Sequence, residues 1–196
     1  MKYTQVPADT RQVVQINAGI IVDEFTPSTG VIGNILAATG GGSEFDPHPT
    51  ITDWGEGIDN MPAGTWQMAQ IDHFEPHLTS TFKTMKATLA QMLQAGATVQ
   101  DGHIIPTHVL AAANFDDIWL LGDYSDVNTD GGTGSSQKAG FIALHLKHAM
   151  NVLGFRWKTN DKNKADFAVD FRAFYDLTNI DDVPFEIYII QGTAGS

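Results

Sequence analysis

The chain contains no cysteine, which removes disulfides and thiolate chemistry and leaves packing and partner contacts to hold it together outside a reducing compartment. Positive charge is also scarce: 11 Lys and Arg stand against 23 Asp and Glu, a formal net charge of −12. Between Arg11 and Lys83 there is no Lys or Arg, although Asp23, Glu44, Asp53, Glu56, Asp59 and Asp72 all lie in that interval. This argues against tight nucleic-acid binding, because neutralising phosphates supplies most of the non-specific affinity for DNA. No apolar run reaches the ~20 residues that a helical bilayer span needs. The start, MKYTQVPADTR, lacks the basic-then-apolar pattern of a secretory signal, so a soluble chain made in the cytoplasm is expected.

What is present reads mostly as β-structure. The length of 196 residues with 42% hydrophobic content suits one substantial core, and residues 1–196 are expected to form one domain. From Ala165, the positions Phe167, Val169 and Phe171 alternate with Asp166, Asp170 and Arg172, the period of two expected of a half-buried strand. After a turn at Asn179–Asp182, Pro184 can only open a strand or sit at an edge, and Phe185, Ile187 and Ile189 then share one face. Ile71–Thr84 predicts a long strand bent near Pro76, and further strands are expected over Gly19–Phe25, His103–Val109, Ile118–Tyr124, Gly140–Ala149 and Leu153–Thr159. One helix is expected in MKATLAQMLQAG, where Met85, Leu89, Met92 and Leu93 recur at helical spacing and Gly96 forms the stop. Gly40–Gly42 reads as a flexible connector without the Gly-Lys-Ser/Thr of a phosphate loop. Trp54–Gly64 reads as a long loop with Trp54, Ile58, Met61 and Trp66 as its apolar anchors. The resulting fold class is a mainly β sandwich or barrel of about eight to ten strands with one flanking α-helix.

Candidate chemistry is sparse. His73, Glu75 and His77 fall on one face of the expected strand and would offer two imidazoles and a carboxylate to a cation, the basis of an alternative reading as a metal-dependent β-barrel enzyme. On a straight strand, however, His73 and His77 lie about 13 Å apart, too far for ligands that approach one metal to about 2 Å. Asp126, Asn128 and Asp130 with Gly131 match the first half of an EF-hand loop, but Gln137 occupies the twelfth position where a bidentate Glu belongs. Asp116–Asp117 and Asp181–Asp182 are explained by turns, and no serine sits in a nucleophile-elbow pattern. No catalytic residue, metal or cofactor is therefore expected, and a monomeric binding module using the Trp54–Trp66 loop is a further alternative.

Several short strings carry a family resemblance. Asp181-Asp-Val-Pro-Phe-Glu-Ile-Tyr-Ile189, preceded by the Phe-rich alternation, resembles the C-terminus of major tail tube proteins of long-tailed bacteriophages. Asn17-Ala-Gly-Ile-Ile-Val-Asp-Glu-Phe25, Asp53-Trp-Gly-Glu-Gly-Ile-Asp-Asn-Met-Pro62, Gly122-Asp-Tyr-Ser-Asp126 and Gly140-Phe-Ile-Ala-Leu-His-Leu146 are similar to the same family, in the same order along the chain. The resemblance implies a structural virion protein whose hexameric rings stack into the tube that conducts genomic DNA from capsid to host. It further implies self-association, contacts with tape-measure, terminator and distal tail proteins, DNA passage without specific binding, and assembly in the host cytoplasm into the virion tail. On that reading Asp166 and Asp170 are candidate lumen-facing residues. Trp54, Glu56, Asp59 and Asn60, with Asp126, Asn128 and Asp130, are candidate contacts between rings.

Overall fold

The computed structural model describes residue 15, residues 18–123 and residues 140–190. In chain order the first strands are β1 (Ile20–Val22), β2 (Phe25–Thr26), β3 (Val31–Ile32), β4 (Thr39–Asp46), β5 (Pro49–Asp53), β6 (Ala69–Phe74) and β7 (His77–Phe82). The helix α1 (Ala87–Leu93) follows, then β8 (Ala97–Gln100), β9 (His103–Pro106), β10 (Asp116–Asp123) and β11 (Phe141–Asn151). The chain closes with β12 (Arg156–Lys158), β13 (Asp166–Arg172) and β14 (Phe185–Ile190). The protein is mainly β with one α-helix among the described residues, as the alternation leads one to expect. None of its described helices is long and apolar enough to cross a membrane.

Eight strands form one open antiparallel system that folds over on itself. Its first half runs β1-β10-β11-β14 and its second β4-β7-β13, with β12 and the end of β11 along the far side of β13. The two halves share β11. Phe141–Leu146 pairs with β10 and β14, whereas Met150 and Asn151 pair with Arg172 and Phe171 of β13. Between them the register against β10 jumps from Leu146↔Ile118 to Ala149↔Asp116, and His148 adopts a φ of 49°. A non-glycine residue in the left-handed region needs local support. Asp117 supplies it: one carboxylate oxygen accepts the His148 amide at 3.0 Å, and the other lies 3.1 Å from His145 Nε2. The strand thereby turns the corner from one layer to the other.

The turn brings two apolar faces together. Ile21, Ile118, Leu144 and Leu146 of the first layer meet Leu78, Phe82, Val169 and Phe171 of the second in one buried cluster. Burying each such side chain contributes about 1.5–3 kcal/mol. Helix α1 adds Leu89 and Leu93 to the same cluster and stops where Ala95 and then Gly96 take positive φ. A Cβ on Gly96 would stand 3.2 Å from the carbonyl oxygens of both Thr107 and Val109, so the stop also needs a glycine for close backbone approach. The outer face of the first layer carries a second cluster of Val22, Trp119, Leu121 and Ala143. Phe25 of the β2–β3 hairpin covers it, with ring centroids 5.4 Å from Trp119 and 5.2 Å from Phe141.

Three expectations change on contact with the structure. The stretch from Ile71 to Thr84 is two strands, because Pro76 interrupts the ladder: among the described residues β6 pairs with β5 alone, while β7 pairs with β4 and β13. Gly40–Gly42 lies inside β4, where the register against β7 shifts between Thr39 and Ser43 and Gly41 and Gly42 take positive φ, so these glycines build a bulge. The system does not close into a barrel, so of the two expected forms the sandwich is the one adopted.

Candidate functional site

The segment between β4 and β7 leaves the sandwich. Pro49–Asp53 and Ala69–Phe74 form a separate two-stranded ladder in which Ile51 faces Ile71. Its base is fixed by Phe74, whose ring packs 5.4 Å from Phe185 and whose amide donates to the Tyr175 hydroxyl at 2.9 Å. Beyond the base the ladder is an arm that no apolar neighbour covers among the described residues. Ile51 is 61% exposed, Ile71 51%, Trp54 62% and Trp66 80%. Trp54, Ile58 and Trp66, expected to anchor the loop, are therefore exposed, and only Met61 is half-buried. The loop is shaped by polar contacts instead. Asp53 accepts the amides of Gly55 at 2.8 Å and Gly64 at 2.9 Å. These two hydrogen bonds, Gly64 first, hold its carboxyl below the usual range. The Trp54 indole donates to Gln70 Oε1 at 3.1 Å across the ladder. Glu56, Asp59 and Asn60 lie exposed at the tip, and Asn60 has a φ of 66°.

The outer face of the second layer holds Asp166 and Asp170. Alternation sends Phe167, Val169 and Phe171 into the core and leaves the two carboxylates half-buried on the opposite side. Neither stands alone. Asp166 pairs with Lys83 and accepts from Asn160 at 2.9 Å, and those two contacts, Lys83 first, lower its pKa. Asp170 lies 2.8 Å from His77 Nδ1. Register places Glu44 and Asp46 of β4, and Arg156 and Lys158 of β12, on the same face. The face is mixed in charge, a feature that the alternation of one strand cannot reveal because the compensating cations come from neighbouring strands.

The three residues of the metal alternative do not converge. His73 Nε2 is 3.8 Å from Glu75 Oε1, but that oxygen also accepts from Arg172 at 3.1 Å, and His77 turns to Asp170. Among the described residues no group of three His, Asp or Glu side chains is placed to hold a metal ion. Asp126, Asn128 and Asp130 lie outside the described residues, so their loop has no structural account here.

Two features escaped the sequence reading. Among the described residues the strand β14 pairs on one side only, with β11, and its Ile187 and Ile189 are 51% and 60% exposed. A cleft of about 510 Å³ lies between the β2–β3 hairpin and the first layer, lined by Phe25, Ile32, Leu121 and Phe141 among others. The arrangement is one of surfaces, with apolar side chains and strand edges turned outward. In comparisons with known proteins, no family model matches the chain and no curated protein matches it.

Proposed function

We propose that this chain is the building block of a bacteriophage tail tube, a structural virion protein that assembles as hexameric rings stacked around a channel for genomic DNA. The observation that carries this reading is the β5–β6 arm, an ordered ladder whose Ile51, Trp54, Trp66 and Ile71 find no cover among the described residues. Apolar surface of this kind is what a partner covers. The outer strands β4 and β14, each paired on one side among the described residues, offer edges that a neighbouring subunit extends around a ring. The order of the short strings along the sequence supports the same identity.

On this reading the protein performs no reaction and needs no cofactor. Rings form by strand extension, arms and loops join one ring to the next, and the excess of acids keeps DNA from adhering to the wall. Tape-measure, terminator and distal proteins are its partners in the virion tail, which is assembled in the host cytoplasm. The exposed indoles of Trp54 and Trp66 favour one alternative, a monomeric binding module. Negative-stain microscopy at rising protein concentration separates the two. Rings or tubes of uniform diameter are the expected result, and single particles at every concentration, with or without other phage tail components, contradict the tube.

A further inference from the structure

We propose that the arm of one copy docks on the β12 corner of the next, so that the subunits join head to tail through an acidic, apolar arm and a basic, apolar patch. The inference rests on the self-assembly reading and adds to it the identity of the two surfaces.

The arm carries one sign of charge. From Pro49 to Phe74 it has Asp53, Glu56, Asp59 and Asp72 and no Lys or Arg. Two of the four are engaged within the arm, since Asp53 holds the loop amides and Asp72 accepts the Thr52 hydroxyl. Glu56 and Asp59 stay exposed at the tip, flanked by Trp54, Ile58 and Trp66. An acceptor for such an arm needs apolar side chains and cations along one edge.

Among the described residues the β12 edge offers both, on its two sides: Arg156 and Lys158 share the outer face with Ala168 and Asp166, while Phe155 and Trp157 lie against Phe167 on the other. Arg156, Lys158, Lys162 and Lys164 fall within one short stretch and are all exposed, with Asp161 as the only acid between Arg156 and Lys164. None of them joins an ion pair among the described residues, whereas Lys83, Lys147 and Arg172 all do. Beside them Val152, Leu153, Phe155 and Trp157 are exposed, Trp157 to 64%. The Trp157 ring lies nearly parallel to Phe167, at an interplanar angle of 10° and a centroid distance of 6.5 Å, and so is held on the sheet edge.

Topology keeps the two surfaces of one copy apart. The arm leaves the second layer beside the β4 edge, at the end where Asp46 faces His77. The patch lies on the opposite edge, where Trp157 faces Phe167 and Phe167 faces Phe82 at the far end of β7. Five residues along the strands and three strand spacings across amount to roughly 17 Å and 14 Å. Surfaces at opposite corners, complementary in charge and both apolar, make a heterologous contact, which propagates as a ring or a filament.

Two double variants test the contact. E56K/D59K reverses the arm tip and R156E/K162E reverses the corner; the four side chains are exposed, and Lys158 is left in place beside Asp166. Sedimentation velocity at low salt should show each variant associating about tenfold or more weakly than the wild type, with association recovering in the equimolar mixture, where arm lysines meet corner glutamates. The neutral variant E56Q/D59N should fall between wild type and E56K/D59K. Wild-type association by either reversal variant or by E56Q/D59N, a mixture no better than its parts, or a wild type that never associates would overturn the proposal. Microscopy of the same samples keeps the two readings distinct. Complementing particles that are never tubular would retain the arm contact and refute the tube, and tubes formed equally by both reversal variants would do the reverse.

Discussion

Two antiparallel ladders in this chain are built alike and end differently. In β7–β13, Leu78 faces Phe171 and both are fully buried; in β5–β6, Ile51 faces Ile71 and both are more than half exposed. The first ladder is one layer of a sandwich, so its apolar side chains find the other layer. Among the described residues the second has its own hydrogen bonds, the Asp53 contacts in its loop and the Phe74 anchor at its base. An isolated hairpin is marginal in water. The contrast separates what folds the chain from what the folded chain offers to others, and substitutions in the two ladders should fall into those two classes.

The largest effect is expected in the buried ladder. Phe171→Ala removes a ring 6.2 Å from Phe82 and should lower unfolding stability by about 3–5 kcal/mol in urea titration. Ile71→Ser, its counterpart in the arm, should change stability by less than about 0.5 kcal/mol and weaken self-association instead. A large loss of stability in Ile71→Ser would erase the distinction between the ladders.

Next in size is Asp166→Asn, which removes the partner of Lys83 and should lower the thermal midpoint at neutral pH. Because the folded carboxyl is held below its ordinary value of about 4, its contribution is full above that value and fades as pH falls through the lowered folded pKa. The gap between wild type and variant should therefore close in acid. A gap that widens there would reverse the assignment. Asp166→Lys should be worse still, since it sets one ammonium against another, so any effect on DNA passage would have to be separated from a loss of subunit stability.

Asp116→Asn should act in the opposite direction and more weakly. Desolvation, then the charges of Asp117 and Asp23, raise the Asp116 pKa. Its charged form therefore opposes folding above the raised value, and that cost disappears as pH falls below the unfolded value. The variant should melt slightly above wild type at pH 7 and level with it in acid, and equal melting at both pH values would contradict the sign. The smallest global effect belongs to Asp53→Ala, which should leave the unfolding midpoint nearly unchanged while speeding amide exchange at Gly55 and Gly64.

The sequence made the secondary structure legible where one strand has one buried face. Alternation from Phe167 to Phe171 assigned both faces of β13, and the spacing of Leu89 and Leu93 located the helix. It misled where a residue's role depends on a distant neighbour. Gly41 and Gly42 resemble a loop until β7 is beside them. Gly140–Ala149 reads as an uninterrupted strand, yet a bulge beside Asp117 turns β11 at His148. The arm was legible as a loop through its glycines, but not as uncovered surface, because a tryptophan at position 54 or 66 looks the same in sequence whether it meets the core or solvent. The partners of Asp166 and Asp170, Lys83 and His77, were hidden for the same reason.

The central claim is that the arm is ordered within the folded chain but becomes protected only against another subunit. Hydrogen exchange followed by mass spectrometry, on dilute and on assembled protein, measures this directly. Peptides covering β7 and β13 should be protected in both states, while those covering residues 49–74 should exchange quickly when dilute and slowly in the assembly. Equal protection of residues 49–74 in the two states would contradict the account.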